Sequence, residues 1–243
     1  MAPFGELVGH IAGITRYPVK SMQGERLDGA ELRWTGIAGD RQYGFVRSQN
    51  RSRFPWLTGR DLSELVLFAP HYADPDDPRN SALIVTAPDG RCYDIWDEAL
   101  AARLTEAAGE PIHLLQLGRG AFDQHPVSMI STAMQRRLDE TFGSAIDPGR
   151  FRINIVIDVA AGAPQEGAWL GKTLSFGENE GSSALRLDEP IGRCAMITID
   201  PRTAIRDPAI MRFVAQSFAN EVGLYATPVA RGEIAVGAPV FLR

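Results

Sequence analysis

The stretch EPIGRCAMITIDPRT, residues 189–203, holds one of only two cysteines in the chain. Cys194 follows Arg193 and opens a strand-like run, Ala195 to Ile199, that stops at Asp200-Pro201. Two readings of this thiol are open. It is a small hydrophobe, inert at the start of a strand. Or the neighbouring guanidinium favours the thiolate, the form that reacts and that soft metals select. A lone cysteine cannot close a protein metal cage. It can complete the coordination of a metal already carried by a sulfur-bearing cofactor, provided the fold brings anion-binding side chains to the same place.

The totals bound the answer. The chain has 243 residues, 44% of them apolar, which suffices for one large domain or two small ones with a real core. The formal net charge is −5 and no five like charges stand together, so no nucleic-acid partner is expected. No apolar run approaches the length of a membrane span. The start, MAPFGELVGHIAGITRYPVKS, lacks the basic and apolar segments of a signal peptide and reads as mature protein. Two cysteines, Cys92 and Cys194, do not make a disulfide framework, and a cytoplasmic location is expected.

Along the chain, short strands separated by turns dominate the first half. Leu7 to Tyr17, Ala30 to Trp34 and Tyr43 to Val46 read as strands, and residues 81–95 as a hairpin about Pro88-Asp89-Gly90, with Cys92 half-buried in its return strand. Asp97 predicts a helix over Glu98–Ala108, stopped by Gly109. Thr132 with Gln135 reads as a capping box for a second helix whose buried stripe is Met134, Leu138 and Phe142. Asp207-Pro208 opens a third, with Ile210, Phe213, Val214 and Phe218 facing inward. Residues 69–80 and 116–125 read as irregular surface stretches. The fold class is mostly β (α+β), arranged as one or two barrels with a few peripheral helices.

The usual nucleotide loops, zinc-protease helices, C-x-x-C pairs and G-x-S-x-G elbows are missing, and the four histidines are scattered. What the chain offers is a set of anion-binding residues at strand ends: Lys20 and Ser21 in YPVKSM, Arg41 in GDRQYGFV, Arg60 in LTGRDL, and Arg150, Arg152 and Asn154 in GRFRINIVID. Arginine supplies a planar fork of donors, lysine a point charge and serine a short donor, which together suit a phosphate. Strand ends of a barrel converge on one mouth, where such residues act together.

Six segments, YPVKSMQG, GDRQYGFV, FPWLTGRDLSELV, GRFRINIVI, RCAMITIDPRT and GEIAVGAPVFL, follow in the order seen in MOSC-domain proteins that carry the N-terminal MOSC-associated β-barrel, a group that includes the mitochondrial amidoxime-reducing component and its bacterial relatives. The resemblance spans nearly the whole chain. It implies an N-terminal β-barrel domain over residues 1–115 and a MOSC β-barrel domain over 116–243. It also implies a molybdenum cofactor (Mo-molybdopterin), with Cys194 as the catalytic metal ligand, and Lys20, Ser21, Arg41, Arg60, Ser131, Thr132, Arg152, Asn154 and Arg193 as cofactor-binding residues. Ile153 stands where relatives usually have proline, and Ala204 where they have glycine. The implied activity is an oxidoreductase, independent of pyridoxal phosphate, that reduces small N-hydroxylated or N-oxide substrates with electrons from a separate donor protein. Two other readings stay open: Cys194 carries a persulfide in sulfur transfer, or the barrel binds the cofactor without catalysis.

Overall fold

The structure, a computed structural model, describes residues 5–243. Its sixteen described strands are β1 (Glu6–Arg16), β2 (Glu25–Leu27), β3 (Gly29–Arg33), β4 (Gly36–Ile37), β5 (Tyr43–Arg47), β6 (Ala69–Tyr72), β7 (Leu83–Thr86), β8 (Cys92–Asp94), β9 (Ile112–Gln116), β10 (Val127–Ser131), β11 (Ile155–Val159), β12 (Thr173–Ser175), β13 (Ala184–Gly192), β14 (Glu221–Ala230), β15 (Gly232–Ala235) and β16 (Pro239–Leu242). Three helices accompany them: α1 (Glu98–Ala108), α2 (Thr132–Phe142) and α3 (Pro208–Ser217). None of the described helices is long and apolar enough to cross a membrane.

Seven strands close into a barrel in the order β1-β11-β10-β14-β13-β12-β16, with β16 returning to β1. Only the β10–β11 pair is parallel. Alternation along the strands points Val8, Ile11, Met129, Ile155, Ile157, Leu187, Leu224 and Val240 into one dry core around Trp169. Strand β1 is bent by register shifts between Leu7 and Gly9 and between Ile11 and Gly13. Gly9 is obligatory there, because a Cβ on it would lie 2.0 Å from the Asp158 carbonyl oxygen. The fold is thus mostly β, as expected.

The intervening chain builds three small sheets: β5 with β9, β6-β7-β8, and β15-β3-β4. A second core of Phe45, Leu57, Leu65, Leu83, Val85, Leu100 and Leu104 packs α1 against the first two of them. A third joins α2 and α3 through Leu138, Phe151, Ile191, Ile210 and Val214. Strand β1, from the start of the chain, is a stave of the seven-stranded barrel, and β15, from near its end, pairs with β3. The two halves of the sequence are interleaved in space.

Local signals account for the helices. Asp97 accepts from the Ala99 N–H at 2.8 Å, and Gly109 ends α1 in the left-handed conformation. Asp207 caps α3 through the Ala209 N–H at 2.9 Å. In α2 the cap falls one residue earlier than the expected box: Ser131 Oγ accepts from Met134 N–H at 3.0 Å. Three further expectations need correction. The run after Cys194 is a single 3₁₀ turn, Ala195–Thr198, closed by Ile197 N–H to the Cys194 carbonyl and by the Thr198 hydroxyl to the Ala195 carbonyl at 2.7 Å. Residues 69–72 are strand β6, since β7 pairs along them, and the loop is confined to residues 73–80. Cys92 is exposed, not half-buried, and both cysteines are free thiols.

Candidate functional site

Strand β1 ends at Arg16, and the chain bends through Pro18 to bury Lys20 and Ser21, 8% and 5% exposed, where β5 begins. Arg41 sits in the segment between β4 and β5, its N–H donating to the Tyr17 carbonyl at 2.6 Å, and Arg152 ends the 3₁₀ turn before β11. These elements, together with the turn at residues 58–60 and the segment after β13, surround a cavity of about 310 Å³. Its wall carries Lys20, Ser21, Arg41, Arg60, Arg150, Arg152, Arg193 and Cys194. Eight of the sequence-derived candidates therefore meet in one place. Six cations and one carboxylate, Asp123, line it, in a chain whose net charge is −5.

Ser21, Arg41 and Arg152 all have left-handed backbones, with φ of 67°, 48° and 52°. Side chains rarely take that conformation, and each instance costs about 1 kcal/mol or more. Three of the six such non-glycine residues described fall on this one wall. Ile153 follows Arg152 and leaves it free to take this conformation, whereas a proline at 153 would push Arg152 toward extended backbone.

The electrostatics are built on Tyr17 and Asp40, which sequence reasoning did not single out. The Arg41 and Arg152 guanidiniums lie 4.8 Å and 4.4 Å from the Tyr17 ring centroid. Asp40, buried, accepts from the Tyr17 N–H at 2.7 Å, Asn154 Nδ2 at 3.1 Å and Arg41 Nη1 at 2.5 Å. Asn154 is behind the wall: its Oδ1 accepts from Arg41 Nη1 at 3.1 Å and from Ser128 Oγ at 2.9 Å, so it aims Arg41 without lining the cavity. Arg152 donates through Nη1 to the Met22 carbonyl at 2.7 Å, while its Nη2 is buried with no hydrogen-bond partner. Burial pulls the Arg152 guanidinium down to about 10, against the help of Tyr17. Arg193 is likewise pulled down to about 10 by burial; it donates to the Val222 and Phe151 carbonyls and faces Cys194 only through its charge. Lys20 is lowered by burial and partly restored by Asp123, which it contacts at 2.7 Å. The signals for the missed residues were adjacency, Tyr17 before PVKS and Asp40 before Arg41. Asp123 sits in an irregular loop with no local signal.

Ser131 and Thr132 lie elsewhere. They are absent from the cavity wall; Ser131 N–H donates to Glu166 Oε2 at 2.7 Å and Thr132 Oγ1 to Asp158 Oδ1 at 2.8 Å. The Cys194 thiol is exposed, and no side-chain cap bond engages it. No group of three or more His, Cys, Asp or Glu residues among those described could hold a metal ion.

The family profile described as the MOSC domain matches residues 112–241, and that of the MOSC N-terminal beta barrel domain matches residues 8–124. This chain belongs to the MOSC family. A molybdenum cofactor sulfurase of Drosophila mojavensis is 27% identical to this MOSC protein over 252 residues, taking in 86% of the chain and 30% of the sulfurase. The chain therefore spans under a third of that relative's length. Among solved structures, the YuaD protein of Bacillus subtilis shares the fold of this MOSC protein, with a TM-score of 0.51 at 13% identity over 97% of this chain and 96% of that one. YiiM from Geobacillus stearothermophilus is 18% identical with a TM-score of 0.37, over 49% of this chain and 54% of its own.

Proposed function

We propose that this MOSC protein binds a molybdenum cofactor in the cavity beside Cys194 and works as an oxidoreductase on small N-hydroxylated or N-oxide compounds such as amidoximes. The observation that carries the reading is the surplus of cations around an exposed thiol. Its chemistry fits the group. A phosphate-bearing pterin needs several buried donors, and Lys20, Ser21, Arg41 and Arg152 supply them, with Arg152 Nη2 still lacking a partner. A metal held mainly by cofactor sulfur needs one protein ligand, and Cys194 supplies a soft one.

When bound, the cofactor supplies two-electron redox chemistry with transfer of an oxo group. The chain's own residues do the rest. Asp40, Asn154 and Tyr17 hold Arg41 and Arg152 at fixed angles before any ligand arrives, so little ordering entropy is left to lose on binding. Reduction of an N–OH group to N–H consumes two electrons and two protons and releases water; a separate electron-donor protein is the source of the electrons.

Protein purified from a host that makes the cofactor should contain about one molybdenum per chain. Cys194→Ser should abolish reductase activity and leave the circular dichroism spectrum unchanged, because an exposed single-atom change does not touch the core. Wild-type activity in that variant would rule out metal ligation by Cys194. A second reading is favoured by the similarity to a molybdenum cofactor sulfurase: Cys194 carries a persulfide and passes its sulfur on. Cyanide-labile sulfur on Cys194 in protein free of molybdenum would establish that reading over the first.

A further inference from the structure

We infer that Arg60 is the anchor for the exchanging substrate, and that the preferred substrates carry an anionic group, a carboxylate or its like, beside the reducible N–O. The inference rests on the proposed reductase reading and names the substrate class for it.

The cations of the cavity divide by depth and by occupation. Lys20, Arg41, Arg150, Arg152 and Arg193 each donate at least one hydrogen bond to the protein. Arg60 is exposed, and among the described residues its guanidinium has no hydrogen-bond or carboxylate partner; it lies over Phe54, 5.2 Å from the ring centroid. A resident group is held by buried donors, whereas a group that comes and goes each turnover has to be met at the mouth. Arg60 is the lining arginine with an unspent fork at that position.

Its backbone is nonetheless rigid. Thr58 and Asp61 close the turn through bonds of 3.0 Å and 2.8 Å. Arg206 Nη2 donates to the Gly59 carbonyl at 2.7 Å and to the Arg60 carbonyl at 3.0 Å, stapling the turn to the segment that follows Cys194. A Cβ on Gly59 would come within 2.9 Å of Met196, two residues past the thiol, so the turn rests directly on the Cys194 side of the cavity. The surrounding field has the same sign. Residues 47–61 contain Arg47, Arg51, Arg53 and Arg60 against Asp61, a local surplus of positive charge in an acidic chain. Such a surplus raises the local concentration of anions.

The test compares benzamidoxime with 4-carboxybenzamidoxime, which differ by one carboxylate on the same ring. In the loaded wild type the charged compound should have the lower KM. In Arg60→Ala the ratio of the two KM values should move about tenfold against the charged compound, the size expected for one charge-assisted pair. Arg60→Lys should restore part of it. Calorimetric binding of the same two compounds should show the same loss, and molybdenum per chain should equal that of wild type. An unchanged KM ratio overturns the assignment. So does a fall in molybdenum content, which would make Arg60 a cofactor residue. If wild type reduces neither compound, the reductase reading fails, and calorimetry alone decides Arg60: a charge preference lost in Arg60→Ala supports the anchor, and no preference overturns it.

Discussion

The cavity beside Cys194 and the start of α2 look alike in sequence, since both offer hydroxyls and backbone donors suited to an anion, yet they differ in what is left to give. At α2, Ser131 and Thr132 have spent their groups on Glu166, Met134 and Asp158. In the cavity, Arg152 keeps a buried donor without a partner and Arg60 keeps its whole fork. Hydroxyls that are spent inside their own fold have nothing left for a ligand. Binding capacity lies where hydrogen-bonding groups are held in place but not yet satisfied.

The sharpest way to break this contrast is Asp40→Ala. It removes the buried carboxylate that pairs with Arg41, whose own charge burial pulls down and Asp40 more than restores. An uncompensated buried cation should lower the unfolding free energy by about 3–5 kcal/mol, measured by denaturant titration. Next comes pH. Burial lowers Lys20, Arg152 and Arg193 below their ordinary values, the two arginines to about 10, so the protonated arginines that attract anions begin to be lost as pH rises toward and through about 10. The affinity of the apoprotein for inorganic pyrophosphate should therefore hold between pH 7.5 and 8.5 and fall at pH 10.5 by roughly tenfold, a unit of lost binding free energy per tenfold being 1.4 kcal/mol. A flat profile would mean that other groups bind the probe. The smallest effect is at α2: Ser131→Ala should cost about 1 kcal/mol of stability, as lost N-caps do, with molybdenum retained as in wild type. Loss of the metal there would erase the difference between the two regions.

Much of this was legible in the sequence. Helix caps and stops are local, and Asp97, Gly109 and Asp207 announced them. That the cationic side chains of separate segments would line one cavity was legible, because chain segments at the ends of strands face the same mouth. The 3₁₀ turn after Cys194 was not, because AMIT is as apolar as a strand and only its closing bonds decide. Ser131 and Thr132 illustrate the opposite difficulty: their partners, Glu166 and Asp158, lie 26 to 35 residues away and carry no sequence signal of the pairing. Tyr17 and Asp40 matter through contacts that cross more than a hundred residues to Arg152 and Asn154.

The interleaving of the barrel has a consequence for its birth on the ribosome. Both neighbours of β1 in the ring, β11 and β16, are made more than a hundred residues after it. The Ile14–Arg16 end of β1 pairs early with β2, but the rest of that edge waits for β16, so closing the ring entails a long-range loop that slows it. Splitting the gene at the middle would not yield two self-sufficient pieces, since the later half would lack the stave that completes its hoop.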